Sequence, residues 1–372
     1  MRRNKNFIPH LNKKRPFCIN HIRKKYIFIL LRLSIAMTFS LIILMQGKTL
    51  NTVIGYDLTN DTTNKKKNVN KSTFNNQTVT VTRENKGNSF SIQVYKDMDI
   101  VSRYIIDGSW EGSRVEELNN YFINYSEKHN LPLSNLTFID IGANVGWFSF
   151  NMAALGVNVL AFEPMEENIA LIRNSLALED NVASGVSGRI TLYPHGLGVN
   201  DAVCYIYSDK SNVGNGNIKC VENEADVMPE KNHFIRGRTT IHRLDDIVDI
   251  NDKNLYIPAI KMDTEGYEPH VVEGGSKVLL EGGADAIVSE FVFDYIVGKG
   301  NDPVQFIKRM GDAGYHVKRN GKLLSTEEMI EKVKTNKGFG SMDITLERGS
   351  PIKEDTKPNG EDVNKSIFIN DK

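Results

Sequence analysis

The chain has 372 residues, 40% of them hydrophobic and 25% charged, enough for one full-sized core with extensions and too little to require two large domains. Lys+Arg and Asp+Glu are each 46, so no overall positive field points to nucleic acid. No His, Cys and Asp spacing points to zinc.

That balance conceals an asymmetry. Nine basic residues from Arg2 to Lys25 precede the first long apolar run, so residues 1–25 form a basic segment. Tyr26 to Met45 then reads YIFILLRLSIAMTFSLIILM, about the length of a bilayer-spanning helix. With the basic cluster before it, the positive-inside rule makes residues 26–46 a signal anchor. The expected localisation is a single-pass membrane protein, N-terminus cytosolic and catalytic domain luminal, in the secretory pathway, or otherwise extracytoplasmic; a cleaved signal peptide is the competing reading. Residues 47–88 are rich in Asn, Thr and Lys and read as a polar stalk, with glycosylation sequons at Asn60, Asn70 and Asn76.

A globular domain is expected over 89–348. Phe90–Tyr95 and Ile100–Ile106 have strand texture, and Arg114–Lys128 has the period of an amphipathic helix. Apolar runs then alternate with helical patterns. Strands are expected at Leu136–Ile141, Val157–Phe162, Ile190–Tyr193 and Val203–Tyr207, with helices at Gly146–Leu155 and Glu166–Ala177. The section from there to Arg238 reads as irregular. Further strands follow at Tyr256–Met262, Ala286–Phe291 and Met342–Leu346, with helices at His270–Leu280 and Val304–Ala313. Such alternation predicts an α/β fold, a mainly parallel, doubly wound sheet with helices on both faces. Residues 349–372 read as a disordered tail. Cys204 and Cys220 either pair or remain two ordinary thiols.

In such a sheet the ligand lies beyond the carboxyl ends of the strands, where residues with chemistry are sought. FIDIGANVGWFSF, Phe138 to Phe150, places Asp140 at the end of one strand, then a turn through Gly142, Asn144 and Gly146 into a helix. Glycine there accepts positive φ and lets a ligand approach the backbone. Glu163 ends the next strand 21 residues after Gly142, where an acid accepts the hydroxyls of a ribose. The turn lacks the central glycine of G-x-G-x-x-G, which suits S-adenosylmethionine better than NAD. IKMDTEGYEPHVVEGG then sets Asp263 and Glu265 at a third strand end, and AIVSEF sets Glu290 at a fourth. Acids packed together repel unless a cation, a metal or a shared proton relieves them.

In this order and spacing FIDIGANVGWFSF, AFEP, HRLDDIV, IKMDTEGYEPHVVEGG and AIVSEF resemble the FkbM family of S-adenosylmethionine-dependent methyltransferases. The resemblance spans about Ile100 to Arg348. It implies a Rossmann-like methyltransferase fold and O-methylation of a hydroxyl on a glycan or another small acceptor. It also implies that Asp140, Gly142, Asn144 and Gly146 surround the methionine and ribose of the cofactor, that Glu163 holds the ribose, and that Glu111 and Asp263 serve the methionine end. Ser208–Cys220 corresponds to a variable loop that shapes the acceptor pocket around Asn212. An alcohol must lose its proton, and Glu265 is the expected base, with Asp263 and Glu290 behind it. No metal is assigned, although a divalent ion among these carboxylates is an open alternative. The rival readings are a non-catalytic module of the same fold and an NAD-dependent oxidoreductase.

Overall fold

The computed structural model describes residues 77–227, 231–319, 321–335 and 342–349. Contacts divide the chain into two units, Met1–Thr73 and Phe74–Lys372, and every described residue belongs to the second.

The described chain opens with an antiparallel hairpin, β1 (Thr78–Asn85) and β2 (Asn88–Tyr95). In β1 threonine alternates with valine, so exposed and half-buried positions alternate along the strand. This strand falls within the stretch expected to be a stalk, and the boundary expected at 89 cuts the hairpin. Composition alone reads such a strand as a linker, because only its period of two marks it. β2 buries Phe90, Ile92 and Val94 in the core beside Phe150 and Ile172.

Helix α1 (Ile100–Asp107) stands where a strand was expected. Its isoleucines favour a strand, but Asp99 caps a helix, accepting from the Ser102 N–H at 2.7 Å. Ser102 and Ile105, three apart, are its buried residues. Helix α2 (Gly112–His129) buries Val115, Leu118 and Phe122. Then come β3 (Thr137–Ile141), α3 (Trp147–Leu155), β4 (Asn158–Phe162), α4 (Glu166–Leu176), α5 (Glu179–Ala183) and β5 (Ile190–Tyr193). Next are β6 (Gly196–Leu197), β7 (Ala202–Asp209), β8 (Asn212–Lys219) and β9 (His233–His242). The described chain finishes with β10 (Ala259–Met262), α6 (Glu268–Gly274), β11 (Ala286–Phe291), α7 (Phe293–Gly298), α8 (Pro303–Asp312), β12 (Tyr315–Arg319), β13 (Lys322–Leu324), α9 (Thr326–Thr335) and β14 (Met342–Arg348). The single helix expected over His270–Leu280 is broken: α6 ends at Gly274, and a π-helical turn follows at Lys277–Glu281.

The main sheet has eight strands in the order β13-β12-β14-β11-β10-β3-β4-β5. The run from β11 to β5 is parallel, while β14, β12 and β13 pair antiparallel. Along β3, Phe138 joins one core and Ile139 and Ile141 the other, so both faces of the sheet are covered. The expected α/β architecture is therefore present. Order reverses between β3 and β10, the switch point at which such sheets bind ligands.

Strands β6, β9, β7 and β8 form a second sheet. Residues expected to be irregular supply β8 and most of β9. The run NVGNGNIK hides a strand because its glycines are contact points: a Cβ on Gly214 would strike the buried Asp99 carboxylate, which accepts from Gly214 N–H at 3.1 Å. A disulfide joins Cys204 of β7 to Cys220 just beyond β8.

The expected localisation is corrected. Among the described residues no helix is long and apolar enough to cross a membrane, and the proposed anchor at 26–46 lies outside the described residues. The basic segment 1–25 and residues 350–372 of the expected tail also lie outside them.

Candidate active site

A cavity of about 300 Å³ opens at the switch point between β3 and β10. Its floor is the glycine turn. Gly142 and Ala143 N–H groups both donate to the Phe162 carbonyl at 3.0 Å, tying the end of β3 to the end of β4. Asp263 N–H donates to the Ile141 carbonyl at 3.0 Å and ties β10 to the same point. Gly142 has φ +80°, and a Cβ there would lie 3.0 Å from the Asp263 carbonyl carbon and nearer still to its oxygen. Only glycine fits between these two strand ends. Asn144, also at positive φ, directs its N–H to Glu163 Oε2 at 2.7 Å, and Gly146 opens α3.

Gly142, Asn144, Glu163 and Glu111 line the cavity, as do Asp263, Glu265 and Glu290. Gly146 and Asp140 do not. Asp140 lies beneath the floor, wholly buried, with Oδ2 accepting from Ser149 Oγ at 2.6 Å and Oδ1 without a hydrogen-bond partner among the described residues. Burial pushes its carboxyl up, against the pull of Lys261. Glu163 already accepts from Asn144 and Met165 N–H groups, at 2.7 and 2.9 Å. Its carboxylate braces the turn and still has lone pairs directed to other donors. Burial raises its pKa to about 8, against those hydrogen bonds.

One carboxylate oxygen from each of Asp263, Glu265 and Glu290 lies within 4.8 Å of the others. Three elements bring them together: the exit of β10, the following turn, and the end of β11. Glu265 takes φ +56°, an unusual conformation for a side-chain-bearing residue, and Gly266 continues the turn. Glu268 fixes this turn from below, its Oε1 accepting from Thr264 N–H at 2.8 Å and Thr264 Oγ at 2.9 Å. Burial, with Asp263 and Glu268 nearby, raises the Glu265 pKa to about 8. Glu290 is driven up by burial and then by Asp263 and Glu265. Like charges this close leave a proton on the cluster at neutral pH. Their oxygens are also the donors a hard divalent cation prefers.

Glu111, at the start of α2, is raised to about 7 by burial, while Lys261 draws it down. Asp343 of β14 sits opposite Glu290 in the register and completes the acidic wall. Asn212, Gly214 and Ile218 of β8 close the other side, so the stretch expected to shape the pocket does border it. His195, His242 and His270 are outside the lining. His195 and His242 pack edge to face, and His270 stacks on Tyr267 at 4.2 Å.

Sequence reasoning missed Lys261, Trp110 and Asp343. Lys261 had a signal: a charged residue inside an apolar strand, two positions before Asp263. Trp110 and Asp343 had none, since only the tertiary fold carries them to the cavity.

Residues 140–316 match the family model described as Methyltransferase FkbM domain. No curated protein matches the chain. Among solved structures, methyltransferase FkbM from Methylobacillus flagellatus KT aligns at 16% identity and TM-score 0.35, over 61% of this chain and 47% of that one. The chain thus spans about half the length of that protein. Precorrin-6y C5,15-methyltransferase from Geobacter metallireducens GS-15 aligns at 15% identity and TM-score 0.28, over 57% and 80%. The bifunctional kinase-methyltransferase WbdD aligns at 12% identity and TM-score 0.36, over 68% and 44%. Residues 140–316, which carry the strand-end motifs seated around one cavity, thus match the FkbM methyltransferase domain.

Proposed function

We propose that the protein transfers a methyl group from S-adenosylmethionine to a hydroxyl of a glycan or another small acceptor. The observation that carries the reading is the placement of the glycine turn and three strand-end carboxylates around one cavity at the switch point. When bound, the cofactor supplies a methyl group activated by a sulfonium. The residues present fit it: Gly142 leaves the floor bare of side chain, Glu163 and Asn144 offer acceptors for a ribose, and the acidic wall suits a cation.

The chain's own part is alignment and proton removal. A hydroxyl entering beside β8 and Glu290 meets Glu265, whose raised pKa suits it to accept a proton near neutral pH. Glu290 borders that oxygen, and burial beside Asp263 and Glu268 keeps Glu265 basic. The walls formed by Trp110, Phe148 and Ile218 exclude water and hold the acceptor for an in-line approach.

Calorimetric titration of the full chain with S-adenosylmethionine, with NAD in parallel, tests the cofactor. Binding of the first alone is expected, followed by transfer of labelled methyl to members of a hydroxyl-acceptor panel. Binding of NAD alone would overturn the proposal, as would tight S-adenosylmethionine binding with no transfer to any hydroxyl.

A further inference from the structure

Six side chains on the cavity wall are acids: Glu111, Glu163, Asp263, Glu265, Glu290 and Asp343. Lys261 is the only cation among the described residues of that wall. It stands on β10, in register with Asp140 of β3 and Val288 of β11, and is 6% exposed. Its Nζ donates to Asp263 Oδ2 at 3.0 Å and lies 4.8 Å from the centre of the Phe148 ring. Burial works against its charge, but Asp263, Asp140 and Glu111 outweigh burial and hold its pKa above the ordinary lysine value. The ammonium is therefore charged at neutral pH. It has three N–H donors and uses one on Asp263, with no other hydrogen bond from Nζ among the described residues. A buried cation with donors to spare, set in the wall of a cavity, is an anion-binding group.

This inference rests on the cofactor reading above. We infer that Lys261 receives the α-carboxylate of the cofactor's methionine end, while Asp263 and Glu111 of the same wall receive the α-ammonium. Two acids and a cation in one wall are the complement of an amino-acid zwitterion. Lys261 thus selects for the carboxylate itself, beyond neutralising its acidic neighbours. The nucleoside half of the ligand gains nothing from it.

Three ligands separate these roles in calorimetry on the full chain: S-adenosylmethionine, its decarboxylated form, and 5′-methylthioadenosine, which lacks the amino-acid end. The wild type is expected to bind S-adenosylmethionine about 10- to 100-fold more tightly than the decarboxylated form, the range of a hydrogen bond between charged groups. Lys261→Met keeps the stem length and removes the charge. It should bring that ratio to within about threefold of unity and leave 5′-methylthioadenosine binding within about threefold of wild type. An unchanged ratio in Lys261→Met would overturn the inference and leave Lys261 as a counter-ion of Asp140 and Asp263. Should the variant fail to fold, methylthioadenosine binding is lost with it, and the wild-type ratio decides: equal affinity for the two S-adenosyl ligands overturns the clamp. A wild type that binds none of the three removes the cofactor reading itself, and the clamp with it.

Discussion

The fit of Gly142 between two strand ends can be measured against a second glycine that shares its backbone conformation and nothing else. Gly185 has φ +78° with no atom within 4 Å of where a Cβ would sit; Gly142 has φ +80° with the Asp263 carbonyl in that place. Alanine at either position adopts a left-handed conformation that costs about 1–2 kcal/mol. At Gly185 that is the whole effect. At Gly142 the turn must also move away from β10, adding about 1–3 kcal/mol as in other overpacked sites. Gly142→Ala should therefore destabilise by about 2–5 kcal/mol and Gly185→Ala by about 1–2. Urea unfolding of the two variants measures this, with unchanged m-values showing that the unfolded state is not the cause. The same displacement opens the floor of the cavity, so Gly142→Ala should lose at least about tenfold in S-adenosylmethionine affinity while Gly185→Ala keeps it. Equal losses of stability in the two variants would refute the argument, because the carbonyl would then not be in the way.

Further expectations concern the acids and the disulfide. Glu265→Gln should lower turnover by about 10²–10⁴-fold and leave cofactor affinity within about threefold, read by single-turnover methyl transfer and calorimetry. A base must be ionised, so wild-type kcat/KM should climb as pH rises toward 8 and the limb should vanish in Glu265→Gln. Glu163→Ala strands the Asn144 and Met165 N–H groups and should cost about 2 kcal/mol or more in stability, with loss of cofactor binding. Glu163 and Glu268 have folded pKa values raised by burial to about 8 and about 7, from the ordinary glutamate value of 4.5. The stability they contribute is complete below about pH 4.5 and is lost as pH rises through 7–8, so the Tm of the free protein should fall between pH 5 and 9. A flat or rising Tm would contradict that burial. The disulfide closes a loop of sequence separation 16, and its reduction should cost about 3 kcal/mol in unfolding experiments with and without a dithiol.

Much of the parallel half of the sheet was legible because buried strands and amphipathic helices announce themselves by period. Leu136–Ile141, Ala286–Phe291 and Glu166–Ala177 were found within a residue or so at each end. Strand-end acids were legible for a related reason: a carboxylate directly after an apolar run has few structural uses. The failures have local causes. Ile100–Ile106 is rich in β-branched residues, yet the Asp99 cap and the contacts of Ile105 make it a helix. β8 is polar because its partners are an acid and a ligand cavity, so its sequence carries no hydrophobic signal. Asp140 was expected among the ligand-contacting residues; a strand-end acid can equally turn inward, and this one does, toward Ser149. Cooperation between Lys261 and the acids spans α2, β3 and β10, a relation that no linear motif records.

β14 has a consequence for the protein's synthesis. This strand, last of the described elements, sits between β11 and β12, pairing with both. A growing chain that has already made β11 and β12 cannot join them, and β11 offers an open, apolar edge until residue 348 has left the ribosome. Such edges recruit neighbouring chains. The long sequence distance between Arg114 on α2 and the Asp343 carbonyl it grips at 2.8 Å makes the closing step non-local as well. Newly made chains are thus expected to depend on chaperones until β14 arrives, and mutations that weaken its pairing should reduce soluble yield more than they reduce the stability of the finished protein.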